Sequence, residues 1–253
     1  MICFCPCLEC SKNMHALVAS GNWRLYKLSY NEELIYEFTC DHGHENLIVV
    51  QKEKFEVLFQ IASLAYLDGY FREAVVTFTS ALERFYEFFI QVMYVESGRD
   101  EAQFLEAWKS VKSSSERQIG AYALIHALTL GSPAQILSSA QVSFRNKVVH
   151  QGHIPSDQEA YSYGNSILIL MRDKLTFLRE KYNISFDKVV SKKADLTRVV
   201  QKYQRIPASL SDDTIIGCGS YPIAPESLRA GLDMLQSYRA FAQRAPLKGV
   251  RHT

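Results

Sequence analysis

The chain lacks any apolar run approaching the roughly 18–20 residues that cross a bilayer. Its longest apolar stretches, such as residues 167–171, are core-sized, so no membrane-spanning segment is expected. It also lacks an excess of either charge: Lys+Arg is 28 against Asp+Glu 27, a net charge of +1. That balance argues against a general nucleic-acid binder, and any basic surface has to be local. No Walker loop, H-E-x-x-H helix or G-x-S-x-G elbow is present. Residues 1–7 have neither a basic start nor a clean apolar stretch and do not read as a secretory signal, so a reducing, cytoplasmic location is expected. What remains is ordinary for a globular chain: 253 residues, 47% hydrophobic and 22% charged. Such a composition excludes a disordered chain, a collagen or a long coiled coil, and the length suggests one or two domains.

Six cysteines stand at positions 3, 5, 7, 10, 40 and 218. A chain of this size does not need disulfides, and clustered thiols in a reducing compartment more often ligate metal. Cys7 and Cys10 form a C-x2-C pair, and Cys40-Asp41-His42-Gly43-His44 follows beyond a β-prone stretch. Cys7, Cys10, Cys40 and His44 then make a Cys3His set, the composition of a closed structural zinc site. Cys5 can replace Cys7 in that set, and His42 can replace His44. The runs at 23–28, 34–39 and 47–50 read as strands, with Tyr30-Asn31-Glu32 as a turn. Two knuckles beside so small a sheet is the plan of a zinc ribbon, stabilised largely by its metal.

After residue 51 the pattern changes from period 2 to period 3.6. Residues 54–67 predict a first helix. Phe71, Ala74, Val75, Phe78, Leu82, Phe85, Phe89 and Val92 mark the buried stripe of a second, ending at Ser97-Gly98. Further helices are predicted over 101–111 and 116–130. Ser132-Pro133-Ala134-Gln135 has the form of a capping box, predicting helix onward to His150 with a break near Ser138-Ser139 and a stop at Gly152. Ser156-Asp157-Gln158-Glu159 is another box. It opens a long helix with Ala160, Tyr163, Ile167, Leu170, Met171 and Leu178 inward. The fold class expected is mainly α: a β zinc ribbon over 1–51, an all-α bundle over 52–182, and a mixed or helical extension over 183–253.

Between the last two bundle helices lies Phe144-Arg145-Asn146-Lys147-Val148-Val149-His150-Gln151-Gly152. Arg-x4-His is a weak pattern by itself. The Asn after the Arg, and the place of the motif at a helix end before a capped helix, make it more specific. With its bundle, this segment resembles the HEPN superfamily (higher eukaryotes and prokaryotes nucleotide-binding), whose ribonuclease members carry an R-x4-6-H motif, often beginning Arg-Asn. The resemblance covers roughly residues 52–182. It implies a HEPN-like helical bundle with Arg145, Asn146 and His150 at the motif positions. It further implies a homodimer with both motifs facing one cleft, cutting RNA without a catalytic metal. A toxin or antiphage role is implied too, with an antitoxin or phage protein as further partner. Inert interaction modules and nucleotide sensors are the alternatives within that family.

The chemistry agrees. Cleavage through the 2′-hydroxyl needs a proton acceptor, a proton donor and a cation beside the phosphate. An imidazole, with an ordinary pKa of about 6.5, suits the proton transfers. A guanidinium clamps phosphate oxygens bidentately, and Asn146 lies one turn before His150. Five residues of ideal helix rotate by about 140°, so Arg145 and His150 do not share one helix face. His153, Glu83 and Lys147 are lesser candidates. Residues 179–205 hold eight basic against three acidic side chains, a local excess that can attract phosphate. In the last third, 195–203 reads as helix or strand. Gly217-Cys218-Gly219-Ser220 is too short for a phosphate loop, and a final amphipathic helix carries Leu228, Leu232, Leu235, Tyr238 and Phe241.

Overall fold

The structure is a computed structural model that describes residues 2–5, 7–10, 24–192, 196–210, 214–244 and 248–249. Cys3 is described only as strand backbone, and the expected looseness after Pro246 falls mostly outside these residues. The chain is mainly helical and divides into two compact units. One comprises Met1–Lys52, Ser191–Asp213 and Met234–Thr253, and the other Glu53–Val190 and Thr214–Asp233. The stretch beyond 183 is thus shared between them.

The first unit holds two small sheets. In one, β1 (Ile2–Cys5) runs antiparallel to β2 (Arg24–Lys27), which pairs in parallel with β6 (Lys248–Gly249). In the other, β3 (Ile35–Thr39) and β4 (Glu45–Val50) form a hairpin, and β5 (Ala208–Leu210) adds in parallel to β4. Alternation along β3 buries Tyr36 and Phe38, and the Phe38 ring lies 4.5 Å from that of Tyr26. Leu47 and Val49 of β4 pack on Val199, with Ile35 and Tyr203 at the margin. Val199 and Tyr203 lie on α8 (Leu196–Tyr203), so residues 195–203, open between helix and strand in the sequence, are helical from Leu196.

The second unit is built on α1 (Lys54–Leu67), α2 (Phe71–Glu96), α3 (Glu101–Lys109), α4 (Ser115–Leu130), α5 (Ser139–His150) and α6 (Asp157–Lys181). α7 (Asn183–Lys192) follows, and α9 (Leu228–Arg244) begins in this unit. α2 is its axis, touching α1, α3, α4, α5 and α6. The predicted stripe is buried except for half-exposed Phe71, but Tyr86, Phe88, Ile90 and Met93, off the stripe, are buried as well. A helix surrounded by neighbours is apolar around much of its circumference.

One local expectation is corrected. Helix does not begin at Ser132: residues 132–137 are non-helical, and α5 starts at Ser139. The chain holds a second S-x-x-Q box, Ser138 to Gln141, and this is the one used. The Ser138 hydroxyl accepts from the Gln141 N–H at 3.3 Å, and Gln141 Oε1 accepts from the Ser138 N–H at 2.8 Å. The Ser132 carbonyl is instead taken by buried His126, whose Nδ1 lies 3.0 Å away.

α6 packs at one point with no side chain between. A Cβ on Gly164 would stand 2.6 Å from the fully buried Phe78 ring and 3.0 Å from Leu228 Cδ2. Gly164→Ala is therefore expected to destabilise the bundle by about 1–3 kcal/mol, the usual cost of overpacking. A urea midpoint lowered at unchanged slope would register this, and a midpoint equal to wild type would show that the core relaxes freely.

Candidate functional sites: a metal cluster and the Arg145–His150 motif

The metal candidate lies in the first unit. β1 leads into the Cys7–Cys10 knuckle, and the β3–β4 turn carries Cys40 to His44. That turn is closed by the Gly43 N–H donating to the Cys40 carbonyl at 3.0 Å, with Gly43 at φ +81°, a left-handed conformation that favours glycine. The ligand atoms of Cys7, Cys10, Cys40 and His44 all lie within 4.8 Å of one another and could hold a metal ion. His44 Nδ1 is 3.6 Å from Cys7 Sγ, 3.3 Å from Cys10 Sγ and 3.6 Å from Cys40 Sγ. Cys10 Sγ is 3.9 Å from Cys40 Sγ. A tetrahedron with metal–sulfur bonds of about 2.3 Å and metal–nitrogen bonds of about 2.0–2.1 Å has edges of about 3.8 and 3.6 Å. The four distances match those edges, and the remaining two sulfur–sulfur separations are within 4.8 Å.

The thiols are electrostatically unequal. Burial works against the Cys7 thiolate. The Cys10 N–H and the side chains of Cys10, Asn46 and His44 outweigh it, bringing the thiol down to about 7. Burial and the neighbouring Cys7 and Cys40 sulfurs push Cys10 up to about 12. Three thiols this close do not all ionise unaided, whereas a bound cation stabilises every thiolate at once. The two alternates stand at the edge: Cys5 is buried on β1, and exposed His42 places Nδ1 3.2 Å from Cys10 Sγ. Both line a small hollow of about 20 Å³ beside Cys7, Cys10 and Cys40.

The second candidate lies at the end of α5 in the helical unit. α5 stays helical through His150. Gly152, at φ +71°, then turns the chain so that the Gln151 and His153 N–H groups both reach the Lys147 carbonyl, at 3.0 and 3.2 Å. His150 is exposed, Arg145 and Asn146 are half-buried, and Lys147 is exposed. Asn146 makes no hydrogen bond to His150. Among the described residues, the Arg145 Nε is buried without a hydrogen-bond partner and the guanidinium enters no ion pair. A structural arginine half-buried in a bundle would ordinarily be held by a carboxylate.

Glu116, in the first turn of α4, joins the two basic groups. Its carboxyl is held below the usual range first by its own backbone N–H and the Ser114 hydroxyl, then by the charges of Arg145 and His150. Arg145 and His150 are thus both within electrostatic reach of the Glu116 carboxyl. Glu83, on α2, accepts from the Ser115 hydroxyl at 2.6 Å. Tyr163, bonded to Thr79 at 2.9 Å, feels both Arg145 and Glu83. Glu83 is thus half-buried and engaged, not solvated, and Tyr163 is both a core residue and a neighbour of the motif. Nothing local in the sequence pointed to Glu116; Ser114-Ser115-Glu116 reads only as a helix start.

The remaining sequence candidates are occupied elsewhere. His153 packs against the Phe144 ring at 6.1 Å and lies 3.5 Å from Glu159. Of the basic stretch at 179–205, Arg179 donates to the Ser220 carbonyl at 2.7 Å. Lys202 pairs with Glu33 at 2.9 Å, and Arg205 with Glu37 and Glu45. Side chains already paired attract phosphate weakly, so the local charge excess loses much of its force.

No family model matches the chain, and neither a curated protein nor a solved structure is significantly similar to it. No helix among the described residues is long and apolar enough to cross a membrane.

Proposed function

We propose that this protein is a metal-independent endoribonuclease of the HEPN type, with a structural zinc ion held by Cys7, Cys10, Cys40 and His44. The observation that carries the nuclease reading is the Arg145 side chain, half-buried on α5 with its Nε lacking a hydrogen-bond partner among the described residues, on the same helix as the exposed imidazole of His150. The zinc reading is supported by a closed Cys3His set at tetrahedral spacing, which leaves no open position for a substrate.

In the reaction, His150 takes the proton from a ribose 2′-hydroxyl as the 2′-oxygen forms its bond to phosphorus. The bond from phosphorus to the 5′-oxygen breaks, and a second, protonated imidazole gives its proton to that oxygen. Arg145 neutralises the charge gathering on the phosphate oxygens. The products are a 2′,3′-cyclic phosphate and a 5′-hydroxyl. The second imidazole comes from a second copy of the chain.

Pairing needs a surface, and the outer face of α4 supplies one. Leu124 and Leu128, one turn apart, are 63% and 75% exposed, and Gly120 and Ala127 on the same side are small and exposed. This face runs from Glu116 along the same helix. A double Leu124→Glu, Leu128→Glu variant is expected to be monomeric by light scattering, to keep its helical circular dichroism and to lose RNA cleavage. Wild-type protein that remains monomeric at high micromolar concentration would refute the paired site.

The direct test is incubation of purified protein with RNA in EDTA, followed by end-group analysis. Cyclic phosphate ends support the proposal. No cleavage of any RNA favours an inert interaction module. A toxin or antiphage role would show as growth arrest on expression, relieved by a cognate inhibitor.

A further inference from the structure

We infer that Asn46 is the positioning residue of the metal centre: its carboxamide ties the Cys7–Cys10 knuckle to the Cys40–His44 turn in the geometry the four ligands require. The inference rests on the metal reading above.

Asn46 is the second residue of β4 and is 5% exposed. Its backbone is fixed by the ladder, where it stands opposite Phe38. Its Oδ1 accepts the Leu8 N–H at 3.1 Å, and its Nδ2 donates to the His44 carbonyl at 2.9 Å. Leu8 directly follows Cys7 inside the C-x2-C pair. A single buried side chain thus bridges two ligand-bearing segments 38 residues apart in the chain.

The residue type suits the task. An amide offers a donor and an acceptor on one planar group. Aspartate would keep the acceptor for Leu8 but present a second acceptor to the His44 carbonyl, and would place negative charge beside three sulfurs. Alanine would leave the Leu8 N–H without its partner and the His44 carbonyl with only the Cys40 N–H, 3.0 Å away. The metal would then have to supply more of the ordering of the two knuckles, and that ordering would be subtracted from the binding free energy.

The test compares full-length wild type, Asn46→Ala and Asn46→Asp. Zinc affinity is read by competition with a chromophoric chelator, and ligand geometry by the visible spectrum of the cobalt(II) form. Both variants are expected to bind zinc about 10–100-fold more weakly than wild type, as outer-shell changes do, with altered cobalt bands and with the fold retained at saturating zinc. Should Asn46→Ala fail to fold, Asn46→Asp carries the comparison. Zinc affinity within twofold of wild type, with an unchanged cobalt spectrum, overturns the inference and leaves the metal reading standing. A wild-type chain that takes up neither zinc nor cobalt overturns both.

Discussion

His150→Ala is expected to lower the rate of RNA cleavage by about 10²–10⁴-fold, the usual contribution of a positioned acid or base. The protein should melt as wild type does, because the imidazole is exposed and caps nothing that its removal would open. Arg145→Ala should cost at least about 10²–10³-fold, since it removes a donor aimed where charge develops. The double variant should be little worse than the poorer single one, because groups acting on one transition state are not additive. The measurement is single-turnover cleavage of a labelled RNA in EDTA, with circular dichroism as the fold control. Arg145→Lys is informative: it keeps the charge and loses the bidentate fork, so its partial activity would measure phosphate geometry against simple charge. Cleavage that survives both alanine changes would assign the chemistry elsewhere.

Cys40→Ser is expected to abolish stoichiometric zinc, from about one ion per chain to none, and to unfold the sheets around it. Zinc sites of this kind contribute about 10–16 kcal/mol of apparent binding free energy at neutral pH in small domains. The two sheets they adjoin have three strands each, of two to six residues, so the metal is a large share of what holds them. Chelation of wild type should have the same effect and be reversed by added zinc. Metal analysis gives the stoichiometry, and protease susceptibility of residues 24–50 gives the loss of order. Helical circular dichroism should change little, because α1 to α6 lie in the other unit. A metal-free protein with residues 24–50 equally protected would remove the zinc proposal.

Much of this architecture was legible before any coordinates. The α2 stripe, the capping box at Ser156 and the strand alternation at 35–39 are regularities within a few residues, and they answer to local hydrogen bonding and to one buried face. The four candidate ligands were legible for a related reason. Thiols and imidazoles at knuckle spacing leave few arrangements in which four donors meet. The choice between the two S-x-x-Q boxes was not legible, since both satisfy the same local rule. In the fold the Ser138 box caps the helix, while the Ser132 carbonyl lies 3.0 Å from His126 Nδ1. The helix at 183–192 escaped notice in a stretch that offered no clear periodic signal.

The groups that complete both sites lie on the far side of that divide. Glu116 feels the charges of Arg145 and His150 from 29 and 34 residues away in the chain. Asn46 reaches Leu8 across 38 residues, and Lys202 finds Glu33 across 169. Sequence alone determined the strands at 35–39 and 45–50, most of the bundle helices and the residue types that carry the chemistry, because backbone hydrogen bonding and side-chain chemistry are properties of short stretches. Tertiary structure decided which of those residues face one another and which charges are already neutralised. Through-space interaction falls with distance in the folded chain, and that distance bears no fixed relation to separation along it.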